Sequence, residues 1–165
     1  MALNSLKDVY VDQLQDIYSA LSQSGEVTKK LADAAKNEDL REALKSGAEG
    51  IHNGMEAVRK LASTHGFDPE GEHCKGMEGL VNEARAHGLE QEFGDEDAQD
   101  AMIISQYQRM AHYGIAAWGT VKAFATRLGL DDDAKLIDTH LGNTYDGDET
   151  MTAIAMQDVN RAAAA

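Results

Sequence analysis

Four residues have the types a redox metal needs, and their spacing decides whether they can act together. Glu49-Gly50-Ile51-His52 has the Glu-x-x-His spacing with which helical bundles present a carboxylate and an imidazole to one ion. At about 100° per residue, however, Glu49 and His52 project away from the face carrying Gly47, Ile51 and Gly54, so the pair is expected on the surface. His112 falls opposite the apolar face of its own segment, which predicts exposure or a subunit contact. His140 lies on an apolar face, where a near-neutral imidazole could serve as a general acid or base. Asp148 is its one conceivable partner, at the edge of the same face. A di-iron or di-manganese pair needs several oxygen ligands to balance its charge, and these positions supply too few. Asp146-Gly147-Asp148-Glu149 has the look of a calcium loop but sits inside a helical pattern. Asp131, Asp132 and Asp133 read as helix caps, and Cys74, flanked by His73 and Lys75, lacks the surroundings of a reactive thiol.

The second feature is small rather than reactive. Ser46-Gly47-Ala48-Glu49-Gly50-Ile51-His52-Asn53-Gly54-Met55 carries three glycines at helical spacing inside a strong helix pattern. Each interior glycine costs about 0.5–1 kcal/mol relative to alanine, so something must offset the cost. Either helix backbones approach closely there, or the missing side chains leave a cavity. Because several small residues coincide at one height, the cavity reading is favoured. Its expected walls are Leu21, Gly47, Gly50, Ile51, Gly54, Met110, Gly114, Ala117, Thr144 and Gly147. His140 and Thr144, with Ser24 or Tyr107, would supply orienting polar groups, and Met110 and Met151 could adapt to an irregular guest.

The elements that must position these residues are legible from periodicity. Ser5 or Asn4 can cap a first helix whose seam runs Leu6, Tyr10, Leu14, Ile17, Leu21, Ser24, Thr28, Leu31, Ala35, ending near Lys36. Asn37 caps a second, with seam Leu40, Leu44, Gly47, Ile51, Gly54, Val58, Leu61, His65 and a stop at Gly66. A turn-rich break over Phe67–Glu72, a short helix from Cys74 to Ala86 and an acidic loop to Gly94 follow. Asp95-Glu96-Asp97 opens a third long helix with seam Ile103, Tyr107, Met110, Gly114, Ala117, Val121, Phe124, Leu128, stopped by Gly129. The fourth has seam Ile137, His140, Thr144, Gly147, Met151, Ile154, and Ala162–Ala165 are expected to fray. Bundle connections usually take about 2–8 residues, so the long central one predicts a crossover running the bundle's length. The expected fold is an all-α, ferritin-like four-helix bundle with a short fifth helix in the crossover, forming one domain over residues 1–165.

Composition narrows the function classes. The 165 residues carry a formal net charge of -14, which argues against nucleic acid and against anionic membrane surfaces. One cysteine excludes an internal disulfide. No basic-then-apolar leader opens the sequence and no apolar run approaches about 20 residues, so the cytoplasm is the expected compartment.

Several segments carry a resemblance to a known family. Leu6-Lys7-Asp8 and Asp16-Ile17-Tyr18-Ser19-Ala20 lie in the first helix, and Cys74-Lys75-Gly76-Met77-Glu78-Gly79-Leu80 in the crossover. His112-Tyr113-Gly114-Ile115-Ala116-Ala117-Trp118-Gly119-Thr120 lies in the third. Together they resemble the YciF-like bacterial stress proteins, a branch of the ferritin-like superfamily, over almost the whole chain. The resemblance implies a dimer and inward metal ligands, and the sequence departs from it at those ligands. Leu21 stands where the family has Glu, and Gly47, Gly50 and Gly54 stand where it has His, Glu and Gln. Ala111-His112-Tyr113-Gly114 replaces a Glu-His-Tyr-Glu pattern, and Gly142-Asn143-Thr144 replaces a run of Glu. The expected function is that of a stress-associated homodimer without its metal pair, binding a small, largely apolar molecule rather than catalysing a reaction. Two alternatives stand beside it. One is an iron- or manganese-dependent oxidase or peroxide-handling protein using Glu49, His52, His112 and His140; the other is a purely structural bundle.

Overall fold

The computed structural model describes residues 2–165. Helix α1 spans Leu6–Ala34, α2 Glu38–His65, α3 Lys75–Ala84, α4 Glu96–Arg127 and α5 Asp131–Ile154; no strand occurs among the described residues. Local chemistry sets most of these limits. Ser5 accepts from the Asp8 amide, Asn37 from Leu40 and Asp95 from Ala98, each satisfying a first-turn N–H that has no partner within the helix. Gly66 and Gly129 end their helices at φ 71° and 72°, a left-handed conformation that costs glycine little. α1 runs unbroken through Gly25.

Three expectations are corrected. The aspartates opening α5 lie in its first turn and do not cap it: Leu130 is its N-cap and makes no side-chain bond. Asp133 is instead buried and accepts from the Tyr10 phenol at 2.8 Å. The crossover helix is prolonged past Ala86 by a π-helical turn over Arg85–Glu90. The C-terminal residues are also more ordered than expected, since a π-helical turn over Ala155–Val159 leads into a final helical turn, α6, Asn160–Ala163.

α1 packs most extensively on α2 and α4 on α5, and the two hairpins meet through α1 against α4 and α2 against α5. The crossover helix α3 lies on α1 and α4. Buried apolar side chains fall into two clusters. One, from Val27, Leu31, Leu40, Leu44, Ile103 and Met151, occupies the end nearest the α1–α2 corner. The other, from Tyr10, Leu14, Val58, Leu61, Trp118, Val121 and Ile137, occupies the opposite end. The bundle is thus packed at both ends, and the glycines lie at the height where the two clusters meet.

Candidate functional site

At that height a cleft of about 410 Å³ opens between α2 and α5. Volumes of a few hundred cubic ångströms are typical of small-molecule sites, about 300–1,000 Å³. The exposed Glu49 and Asn53 on α2 and Asn143, Asp146 and Thr150 on α5 form its mouth. The ten expected wall residues and His140 line it: Leu21, Gly47, Gly50, Ile51, Gly54, Met110, Gly114, Ala117, His140, Thr144 and Gly147. Ser24 and Tyr107 also do. Met151 does not border the cleft; it is 1% exposed within the first apolar cluster.

The glycines divide between the two physical readings. A Cβ at Gly47 would lie 2.5 Å from the Tyr107 hydroxyl oxygen, and one at Gly54 3.1 Å from Leu21 Cδ1 and 3.3 Å from Trp118. Those two positions are small because neighbouring side chains pack onto the backbone. Gly50 has nothing within 4 Å of such a Cβ, and Gly114 and Gly147 have only ordinary contacts at 3.5 Å. These three face the cleft. Gly50, Gly114 and Gly147 thus leave room for a side chain, whereas Gly47 and Gly54 are closely packed on their neighbours.

The polar groups are arranged as follows. His140 is half-buried and stacks on Trp118, with ring centroids 5.4 Å apart and planes 25° from parallel. Burial lowers its pKa, holding the imidazole neutral. The Thr144 hydroxyl donates to the His140 carbonyl at 2.8 Å. Tyr107 is almost wholly buried, and burial, with Asp148 nearby, raises its pKa. Thr28, read from the sequence only as a seam residue, lines the cleft and is 0% exposed, and its hydroxyl has no hydrogen-bond partner among the described residues. Trp118 is 2% exposed and forms part of the cleft wall.

The metal candidates do not converge. Glu49 and His52 are exposed, as the helical wheel implies. His112 is exposed and pairs with Asp148 at 3.1 Å, which also accepts from Gln108 at 3.0 Å. Asp148 is therefore committed to α4 and is not the acid–base partner of His140. Among the described residues no group of three His, Cys, Asp or Glu could hold a metal ion. The donor set of a carboxylate-bridged metal pair, several oxygens at one height, does not fit this cleft. Cys74 is likewise structural. It caps α3 and lies 2.9 Å from the Tyr113 hydroxyl, which donates to Asp16 at 2.7 Å, and burial pushes the thiol pKa up.

Comparison with known proteins places this geometry. The family described as "Domain of unknown function (DUF892)" matches residues 5–164. Protein YciF of Escherichia coli (strain K12) is 31% identical over 164 residues, covering 99% of this chain and 98% of that protein. The crystal structure of the E. coli stress protein YciF superposes with a TM-score of 0.88 at 30% identity, covering 96% of this chain and 99% of that one. YcfI from Rhodopseudomonas palustris, described as a candidate structural protein, gives a TM-score of 0.86 at 30% identity, covering 92% and 96%. No helix among the described residues is long and apolar enough to cross a membrane.

Proposed function

This chain belongs to the DUF892 family, and we propose that it is a stress-associated binding protein whose mid-height cleft takes up a small, largely apolar molecule. In this reading residues 1–165 act as one ferritin-like domain that has lost the family's metal pair and catalyses no reaction of its own. The observation that carries it is the cleft of about 410 Å³, bordered by Gly50, where an added Cβ would meet nothing within 4 Å, and by Gly114 and Gly147, where it would meet only ordinary contacts at 3.5 Å. Packed interiors rarely leave voids larger than a water molecule, and apolar cavities accept apolar guests. The relative described as a stress protein supplies the physiological setting.

Native mass spectrometry with elemental analysis, on protein purified without chelators, tests the proposal. A stoichiometric organic adduct without metal is the expected result, and Gly50→Leu, which fills open space, should abolish it. A pair of iron or manganese ions per chain would overturn it. A second reading, a purely structural bundle, draws on the packing of Tyr107, Leu21 and Trp118 onto Gly47 and Gly54. Bare protein in both assays would favour that account. The proposal takes the protein to be a cytoplasmic homodimer, for which light scattering on the eluting protein should give twice the 17.8 kDa chain mass.

A further inference from the structure

The cleft is chemically two-ended, which bears on what it holds. Antiparallel packing sets Leu21 against Gly54 and Gly25 against Ile51, and the same register brings Thr28 to the height of Gly47. The Tyr107 hydroxyl lies over Gly47 and 3.5 Å from where a Gly147 Cβ would be. Two hydroxyls, on α1 and α4, therefore border one end of the cleft. Eleven residues of α1 separate Thr28 from Ile17, about 16 Å at 1.5 Å per residue. The far end is apolar and aromatic, from Ile17, Leu21, Ala117 and the Trp118–His140 stack.

Thr28 departs from the behaviour of six of the other seven helical threonines. Thr64, Thr120, Thr126, Thr139, Thr144 and Thr150 each donate to the carbonyl four residues earlier. Thr28, the fully buried one, makes no such bond and has no other partner among the described residues. Leaving a buried hydroxyl unpaired is costly, and native structures nearly always pair it. The Tyr107 hydroxyl, over Gly47 and near Gly147, is the second polar group at this end. The charged groups on the cleft wall are Glu49 and Asp146, both acidic and both at the exposed mouth, on a chain of net charge -14. That field opposes an anion.

Resting on the binding reading above, we infer that the guest is an uncharged amphiphile. Its hydroxyl or carbonyl oxygen hydrogen-bonds Thr28 and Tyr107, and its aliphatic or aromatic body extends towards Trp118. Fatty-acid-like carboxylates are excluded by the acidic mouth.

The test titrates the full-length protein with decanol, decane and decanoate. Binding is followed by emission of the single tryptophan, Trp118, which borders the cleft, and by native mass spectrometry. Decanol should bind tighter than either analogue. Thr28→Val, which keeps the side-chain shape, should weaken decanol about tenfold while leaving decane unchanged. Tyr107→Phe should act in the same direction. Thr28→Val should also raise the melting temperature of the free protein, a readout independent of ligand, because it removes an unpaired buried hydroxyl. Equal binding of decanol and decane, insensitive to both variants, would overturn the polar end while the binding reading stands. Tightest binding of decanoate would overturn the uncharged guest. Failure of all three to bind would remove both this inference and the reading beneath it.

Discussion

The glycines of α2 make residue-scale predictions of opposite sign. Gly50→Ala adds a methyl to open space and removes the backbone entropy of an interior glycine, so it should stabilise by about 0.5–1 kcal/mol in chemical denaturation. Gly47→Ala drives a Cβ against the hydroxyl and ring of Tyr107, and should destabilise despite the same gain in helix propensity. Pairing it with Tyr107→Phe should recover part of the loss, a coupling a double-mutant cycle would show directly. The tyrosines carry a second prediction. Burial, with hydrogen bonds to Asp133 for Tyr10 and to Cys74 and Asp16 for Tyr113, raises both phenols far above their ordinary value; Tyr107 rises through burial and Asp148. Native protein at pH 11 should therefore show much less tyrosinate absorbance than the unfolded chain with its 5 tyrosines. Raised folded pKa values give stability that is complete below the ordinary phenol pKa of about 10 and lost as pH rises beyond it. Sequence reasoning located the glycines, because helical spacing places them on one face. It could not distinguish Gly47 from Gly50, because that difference depends on a tyrosine from another helix.

At the scale of elements, two buried aspartates lock the ends of the bundle. Asp100 on α4 is 0% exposed and accepts from the backbone amides of Lys36 and Asn37 at 2.9 and 2.6 Å, fixing the corner between α1 and α2. Asp100→Ala would strand those amides, and should cost about 3 kcal/mol in chemical denaturation. At the opposite end Asp133 accepts from Tyr10 at 2.8 Å and meets His65 Nε2 at 2.6 Å, while Lys7 approaches His65 Nδ1 at 2.8 Å. One carboxylate thus ties α1, the end of α2 and the start of α5. The helices and their stops were legible, since periodicity, Asn37, Gly66 and Gly129 are local signals. Asp133 was misread as a cap because its position in the first turn of a helix is also local, whereas its partners lie 68 and 123 residues away in sequence. The outward direction of Glu49 and His52 was also legible, because the helical wheel turns both away from the seam. Thr28 was not, because a seam threonine looks the same whether or not its hydroxyl is satisfied.

For the whole molecule, tight ends and a loose middle imply that acidification acts first through the middle. His140 is held neutral by burial against Trp118, so its folded pKa lies below the ordinary 6.5. Between the two values the unfolded chain binds the extra proton and the native one does not. Stability should therefore fall as pH drops through about 6.5 towards the lowered value. The 29 carboxylates oppose this trend at lower pH, because protonating them relieves the self-repulsion of a net charge of -14. The two effects separate by salt and by substitution. Raising ionic strength past about 0.1 M, where the Debye length is about 10 Å, screens repulsion between surface charges but barely touches a half-buried imidazole. His140→Phe keeps an aromatic ring against Trp118 and removes the titrating nitrogen. Melting curves from pH 7 to pH 5.5 in high salt should slope downward for the wild-type chain and flatten for this variant. An unchanged slope in His140→Phe would show that the cleft imidazole does not set the pH dependence.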